Sequence, residues 1–442
     1  MFSIRIRALV FTAFFAVLSA SGQTVKSFSF LHSNDLHAHL MPDDDGLGGF
    51  AYLKTVLNEQ RRGCTTCLYL NAGDFVQGTP VSTLFKGDPV YQIANHMGID
   101  VSTIGNHEFD YGWKAVQGFD KTAKFPMVSA NIVNDRGELL APQAYVIRTV
   151  AGVRIAVIGA IMGDLVGNLA TEEAVGPWHV IPVVDAVKKV VAEVKGKADM
   201  IVVLGHIQIA EADAILHQVP EVNIVVAGHD HKGFPEPHVF EHRWAVEGKS
   251  YGVELNRLDF DFDTVRHEVV SATWKHFPVD SRKITPDPEI QAEVNSWEAK
   301  VSKIVDMPIG EAKRRLQGPD LRLLIERAMA EATGADIGYI NTGNVRGFLP
   351  QGQLLARHVW NVLPFDNYIM VGTFKGSELP AKITNEFKVE PDKLYKVATT
   401  DFTVANQAAP SQLGTTGMKF PVKGPLQRDA MIEWVRNRKV IE

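Results

Sequence analysis

Short apolar runs rich in Val, Ile and Leu recur between residues 26 and 260, and each one ends in a polar loop. The runs are Phe28 to His32, Leu68 to Leu70, Val101 to Ile104, Val153 to Ile158, Met200 to Leu204 and Val222 to Ala227. Nearly continuous apolar runs of this length suit strands that are buried on both faces. Helical periodicities lie between them, as at Phe50 to Arg62 and Val184 to Lys195. This alternation predicts an α/β chain with a layered αββα architecture. Tyr251 to Phe262 alternates apolar and polar positions and predicts a closing pair of antiparallel strands.

The rhythm changes near residue 286, where Pro breakers precede a charged helical pattern from Pro288 to Ile304. We read 23–285 as one domain, 286–309 as a linker helix and 310–442 as a second, smaller α/β domain. The second domain has strand patterns at Ile337 to Asn341 and Tyr395 to Thr400, then an amphipathic helix over Gln427 to Arg438. At the start, Arg5 and Arg7 precede an apolar run from Ala8 to Ala20, and Ser21 and Gly22 follow it. A run of this length falls short of the ~20 residues that span a bilayer. Residues 1–22 therefore read as a secretory signal peptide. The expected product is exported, periplasmic or secreted, with no stable membrane insertion after cleavage. In such a compartment Cys64 and Cys67 can close a small disulfide.

Composition narrows the function. The 442 residues are 45% apolar, so an unfolded chain is excluded. Lys and Arg number 45 against 51 Asp and Glu, a net charge of −6, and no basic cluster stands out. A nucleic acid polymer is therefore not the expected partner; a small molecule is.

The chemistry lies where the strands end. Phe28 to His32 leads to Asp35 and His37, and Leu68 to Leu70 leads to Asp74. Val101 to Ile104 leads to Asn106 and His107, followed by Glu108 and Asp110. Met200 to Leu204 leads to His206, and Val222 to Ala227 leads to His229 and His231. In open α/β sheets, ligands collect at the carboxyl ends of strands. Asp35, His37, Asp74, Asn106, His206, His229 and His231 offer carboxylate, imidazole and amide donors, a mixture that suits Zn, Mn or Fe. The set is too large for one tetrahedral site and fits two divalent ions that share a carboxylate. Such a pair clamps the attacking and leaving oxygens of phosphoryl transfer and lowers the pKa of bound water. His107 follows a ligand directly and can face the reacting group as a general acid. Asp110, three residues on, can fix its tautomer.

The series Asn34-Asp35-x-His37, Gly73-Asp74-x-x-Gln77-Gly78-Thr79-Pro80, Gly105-Asn106-His107-Glu108, Gly205-His206 and Gly228-His229-x-His231 resembles the calcineurin-like metallophosphoesterases. More narrowly, it resembles their secreted 5′-nucleotidase family. The resemblance implies a four-layer αββα metallophosphoesterase domain plus a smaller C-terminal 5′-nucleotidase-type domain that rotates between open and closed. It assigns Asp35, His37, Asp74 and His231 to a first metal. Asp74 would bridge, with Asn106, His206 and His229 on the second metal. His107 and Asp110 match the family's catalytic pair. Asn341 and Arg346 match its phosphate-side loop, and Phe365 matches one aromatic wall for a base.

Two segments depart from the family pattern. Phe402 to Pro410 replaces the usual Gly-Gly-Asp-Gly-aromatic loop, so a second aromatic wall is not expected. Gln317 to Arg322 replaces another family segment, leaving Arg314 or Arg315 as a candidate phosphate contact. The implied reaction is hydrolysis of nucleoside 5′-monophosphates. Cyclic nucleotides, nucleotide sugars, sugar phosphates or a sulfur ester are the alternative substrates, and nucleotide or metal binding without turnover is the remaining one.

Overall fold

A computed structural model describes residues 24–166 and 170–442; the expected signal peptide lies outside the described residues. Two six-stranded sheets face each other in the N-terminal half. The first runs Glu268–Pro278, Glu254–Asp263, Val25–Ser33, Cys67–Asn71, Val101–Thr103, Met127–Val128. The second runs His238–Phe240, Arg243–Glu247, Ile224–Gly228, Met200–His206, Val153–Ile161, Tyr145–Val150. The strands that end in the polar loops are parallel to their neighbours, so those loops open at one edge of the layered domain.

Strand alternation builds the layers. Phe28, Phe30, Leu68 and Leu70 point inward and meet Ile155, Val157, Val202 and Leu204 of the opposite sheet. Leu31 and Tyr69 point outward against the helices Phe50–Arg61 and Asp88–Met97. Ala156, Ile158 and Val203 face the helices Val183–Val194 and Ile209–Gln218. The result is αββα, as the apolar runs required.

Two elements differ from expectation. Tyr251 to Phe262 holds one long strand, Glu254–Asp263, rather than a pair. Its antiparallel partners are Val25–Ser33 and Glu268–Pro278, which alternation alone does not reveal. The helix Pro288–Val305 does more than link, because Ile290, Val294, Val301 and Val305 join the outer core of the first domain.

The C-terminal half holds a four-stranded sheet in the order Ile337–Gly338, Leu394–Thr400, Tyr368–Lys375, Val422–Leu426. The helices Gly318–Thr333 and Gln427–Arg438 contribute Leu321, Ile325, Met431 and Val435 to its core. Trp360 packs against both this core and that of the first half. Cys64 and Cys67 form a disulfide in the turn that enters Cys67–Asn71. Among the described residues, no helix is long and apolar enough to cross a membrane.

Candidate metal centre and adjoining cavity

Asp35, His37, Asp74, His229 and His231 all take positive φ angles, between 47° and 99°. Non-glycine residues pay of order 1–3 kcal/mol each for sparsely populated backbone conformations, which persist where the surroundings enforce them. Here the loops enforce one another. Asp35 and His37 donate their backbone N–H groups to the carbonyls of Gly73 and Asp74, and Ala38 donates to Phe75. Gly105 is required at its position, since a Cβ there would lie 2.1 Å from Asp74 Oδ1.

Glu108 ties the second and third loops. Its buried carboxylate accepts the backbone N–H groups of Asp74 (3.1 Å), Phe75 (2.9 Å) and Gly105 (2.7 Å). Burial, followed by the charge of Asp74, pushes Glu108 up to about 7. It is a brace for the ligand loops and points away from ligation. His39 also stays outside the nest, its ring tilted by 33° against Tyr251 with centroids 4.4 Å apart.

Each of the two central carboxylates is half satisfied. Asp35 Oδ2 accepts from Asn34 Nδ2 and from the His229 N–H, while its buried Oδ1 has no hydrogen-bond partner among the described residues. Asp74 Oδ1 accepts the His107 N–H, while its buried Oδ2 likewise has none among the described residues. Both free oxygens face imidazoles. His231 Nε2 lies 3.2 Å from Asp35 Oδ1, and His37 Nε2 lies 3.6 Å from Asp74 Oδ2. Ligand atoms of Asp35, His37, Asp74 and His231 all fall within 4.8 Å of one another.

A second group meets at the other side of Asp74. His206 Nε2 lies 3.2 Å from Asp74 Oδ2 and 3.0 Å from Asn106 Oδ1, and His229 Nδ1 lies 3.2 Å from the same amide oxygen. The Ala72 carbonyl, 2.8 Å from His206 Nδ1, can only accept, so that nitrogen carries the hydrogen. A neutral His206 turns a lone pair toward the carboxylate oxygen, an arrangement that a shared proton or a bound metal ion reconciles. Although burial disfavours charge there, Asp74 and Asp35 raise His206 to about 10, a measure of the field that awaits a cation. Burial keeps His37 well below its ordinary value and lowers His229 to about 4, leaving both neutral and able to ligate. These residues fit divalent metal, with Asp74 Oδ2 between the two groups.

Beyond the nest opens a cavity of about 860 Å³ between the two halves, lined among others by His107, Asp110, Asn341, Arg346, Phe365 and Phe402. His107 Nδ1 lies 2.9 Å from Asp110 Oδ2, so Nε2 is left for the cavity. Burial lowers the proton affinity of His107, but the Asp110 and Asp74 charges outweigh it and raise the net value. From the C-terminal half, an Arg346 guanidinium nitrogen comes within 3.4 Å of His107 Nε2, and its buried Nε has no hydrogen-bond partner among the described residues. Asn341 precedes a short turn, Thr342–Asn344, where its side-chain oxygen accepts from Asn344. The Phe365 ring lies 5.7 Å from that of His107.

The cavity corrects two expectations. An aromatic does lie in the wall formed by the Phe402 to Pro410 stretch, namely Phe402 itself. The short helix Asp401–Ala405, capped by the Thr400 hydroxyl, presents it there, and no periodicity marks so short an element. Arg314 and Arg315 do not reach the cavity. Arg314 pairs with Asp320, while Arg315 pairs with Asp45 and lies 3.3 Å over the Phe348 ring.

Residues 28–233 match the calcineurin-like phosphoesterase family, and residues 301–386 match the 5′-nucleotidase C-terminal domain. The chain thus joins a calcineurin-like phosphoesterase domain to a 5′-nucleotidase C-terminal domain. UshA of Escherichia coli is 26% identical over 423 residues, covering 82% of this chain and 76% of UshA. A 5′-nucleotidase of Vibrio cholerae is 25% identical, covering 79% of this chain and 73% of its own. The Bacillus subtilis endonuclease YhcR is 26% identical across 92% of this chain, which spans only 39% of YhcR. The solved 5′-nucleotidase precursor from Thermus thermophilus superposes with a TM-score of 0.83 at 22% identity, covering 94% of this chain and 97% of that one. The T. thermophilus sulfate thiohydrolase SoxB gives 0.79 at 15% identity, covering 93% and 94%. These structures share the two-part fold.

This phosphoesterase family uses divalent metals, and the nest meets that requirement. Chelator treatment is expected to lower the melting temperature, and Mn(II) to restore it. Saturation at 100 times Kd stabilises a fold by about 2.7 kcal/mol. Scanning calorimetry with and without chelator measures this, and identical transitions would contradict a metal nest.

Proposed function

We propose that this protein is an exported phosphomonoesterase that releases phosphate from nucleoside 5′-monophosphates. The observation that carries the proposal is the approach of Arg346 to within 3.4 Å of His107 Nε2, beside the metal nest. Arg346 Nη2 and His107 Nε2 converge on one spot of the cavity, where both can reach the oxygens of a single anionic phosphate. The relative from Vibrio cholerae, a 5′-nucleotidase, supports the same substrate class.

Asp35, His37, Asp74 and His231 would hold one divalent ion, and Asp74, Asn106, His206 and His229 a second, of Zn, Mn or Fe, supplying Lewis acidity and water activation. The chain's own residues do the rest. Arg346 offers a planar fork of donors to the phosphate oxygens, and Asn341 adds an amide beside it. As a water oxygen bonds to phosphorus and the P–O5′ bond breaks, the His107 imidazolium gives its Nε2 proton to the departing ribose oxygen. Asp110 holds the ring through Nδ1–H and stabilises the charged form. Phe365 and Phe402 offer aromatic faces to the base; stacking of this kind is worth roughly 1–3 kcal/mol per base.

The test is phosphate release from AMP and from ribose 5-phosphate with Mn(II) present. The expected kcat/KM for AMP exceeds that for ribose 5-phosphate by about tenfold or more, given the stacking energy. Equal values would overturn the nucleotide reading in favour of a sugar phosphatase.

A further inference from the structure

Arg428 is the second residue of the last helix, Gln427–Arg438, yet its side chain is only 3% exposed. It turns toward the loop from Leu363 to Asp366. Nη1 donates to the carbonyls of Leu363 (3.3 Å) and Phe365 (3.4 Å), and Nη2 donates to the Asp366 carboxylate at 2.6 Å. The guanidinium lies 3.6 Å over the Trp360 ring. Only a planar fork of fixed donors grips several points of one loop while stacking on an aromatic face.

The carbonyl between those two is held from the opposite side. Pro364 O accepts from Gln77 Nε2 and from the Thr83 hydroxyl of the phosphoesterase domain, each at 3.1 Å. Successive carbonyls are thus drawn toward different halves of the molecule. Phe365 sits at the centre of this grip, with the Arg346 guanidinium 5.6 Å from its ring centroid.

We propose that Arg428 is a positioning residue for substrate, holding the Leu363 to Asp366 loop so that Phe365 meets the nucleoside; this rests on the nucleotide reading above. Arg428 does not itself line the cavity. Its effect passes through Phe365 and falls on affinity for the base, leaving the phosphate-side chemistry in place.

Arg428→Met is expected to raise KM for AMP about tenfold, or about 1.4 kcal/mol, with little change in kcat. KM for ribose 5-phosphate should stay put, since that substrate has no base. Hydrogen exchange of a peptide over 363–367 should quicken in the substrate-free protein. Arg428→Lys, which keeps the charge but loses the planar fork, should move AMP KM and exchange the same way, and it decides the matter if Arg428→Met fails to fold. Unchanged exchange, unchanged AMP KM, or equal rises in KM for both substrates would overturn the inference. A wild-type protein without preference for AMP overturns instead the nucleotide reading, and the exchange result then still reports whether Arg428 holds the loop.

Discussion

His107→Ala is expected to lower kcat for AMP by about 10²–10⁴-fold, the usual worth of a positioned general acid, while bound metal is unchanged. The imidazole is placed by three contacts of different kinds. Its backbone N–H is fixed on Asp74 Oδ1 at 2.9 Å, its Nδ1 on Asp110 at 2.9 Å, and its ring lies edge-on to His37 with centroids 5.1 Å apart. Nε2 alone is left to face Arg346 and the cavity. Because the side chain makes no contact that metal ligation requires, removing it should affect the leaving-group step and spare the nest. Metal content by mass spectrometry separates the two. A His107→Ala protein that has lost its metal, or keeps its rate, would remove His107 from this role.

The pH dependence has a definite sign. Burial lowers the proton affinity of His107, but Asp110 and then Asp74 raise it, and the net value lies above the ordinary 6.5. The imidazolium is the active form, so the rate falls as pH rises through that raised value. Asp110→Asn removes the largest raising charge and should move the alkaline limb to lower pH, which a kcat-against-pH profile measures.

Asp74→Asn should be more damaging to metal binding than any other single change at the site. Its Oδ2 lies 3.6 Å from His37 Nε2 and 3.2 Å from His206 Nε2, between the two candidate metal positions. Asparagine keeps the Oδ1 acceptor for the His107 N–H, so the loop retains its shape and the loss is one of charge. Bound metal should drop to one ion or fewer per chain. The loss of several kcal/mol of charge stabilisation corresponds to a fall in kcat/KM of about 10³-fold or more. Full metal occupancy in Asp74→Asn would show that the carboxylate does not bridge.

Much of this site is legible in the chain because its parts are local. Asp35, His37, Asp74, Asn106, His206, His229 and His231 each follow within a few residues of an apolar run. A strand that is parallel to its neighbours delivers its end to the same edge as theirs. Once the runs are recognised as strands, convergence of their ends within each sheet follows from sheet geometry, and the packing of the two sheets brings the two sets of ends together. Asn341, Arg346 and Phe365 were legible only by resemblance, since no period marks a loop, and the fold brings all three to one cavity.

Other features escaped for a common reason. Phe402 reaches the cavity because a five-residue helix turns it there. Arg315 misses it because Asp45, 270 residues away in the chain, draws it off. Arg428 lies 62 residues from the aspartate it binds, and nothing in its neighbours says it is buried.

The amino-acid sequence by itself determined the layered α/β fold and the identity of the metal-competent residues. Both follow from short-range patterning and from the one-edge rule of parallel sheets. Tertiary structure alone decided which oxygens stay free, how His107 meets Arg346 and what holds Phe365. Those outcomes depend on distances between segments remote in sequence, and hydrogen-bond geometry changes over tenths of an ångström, a scale at which patterning is silent.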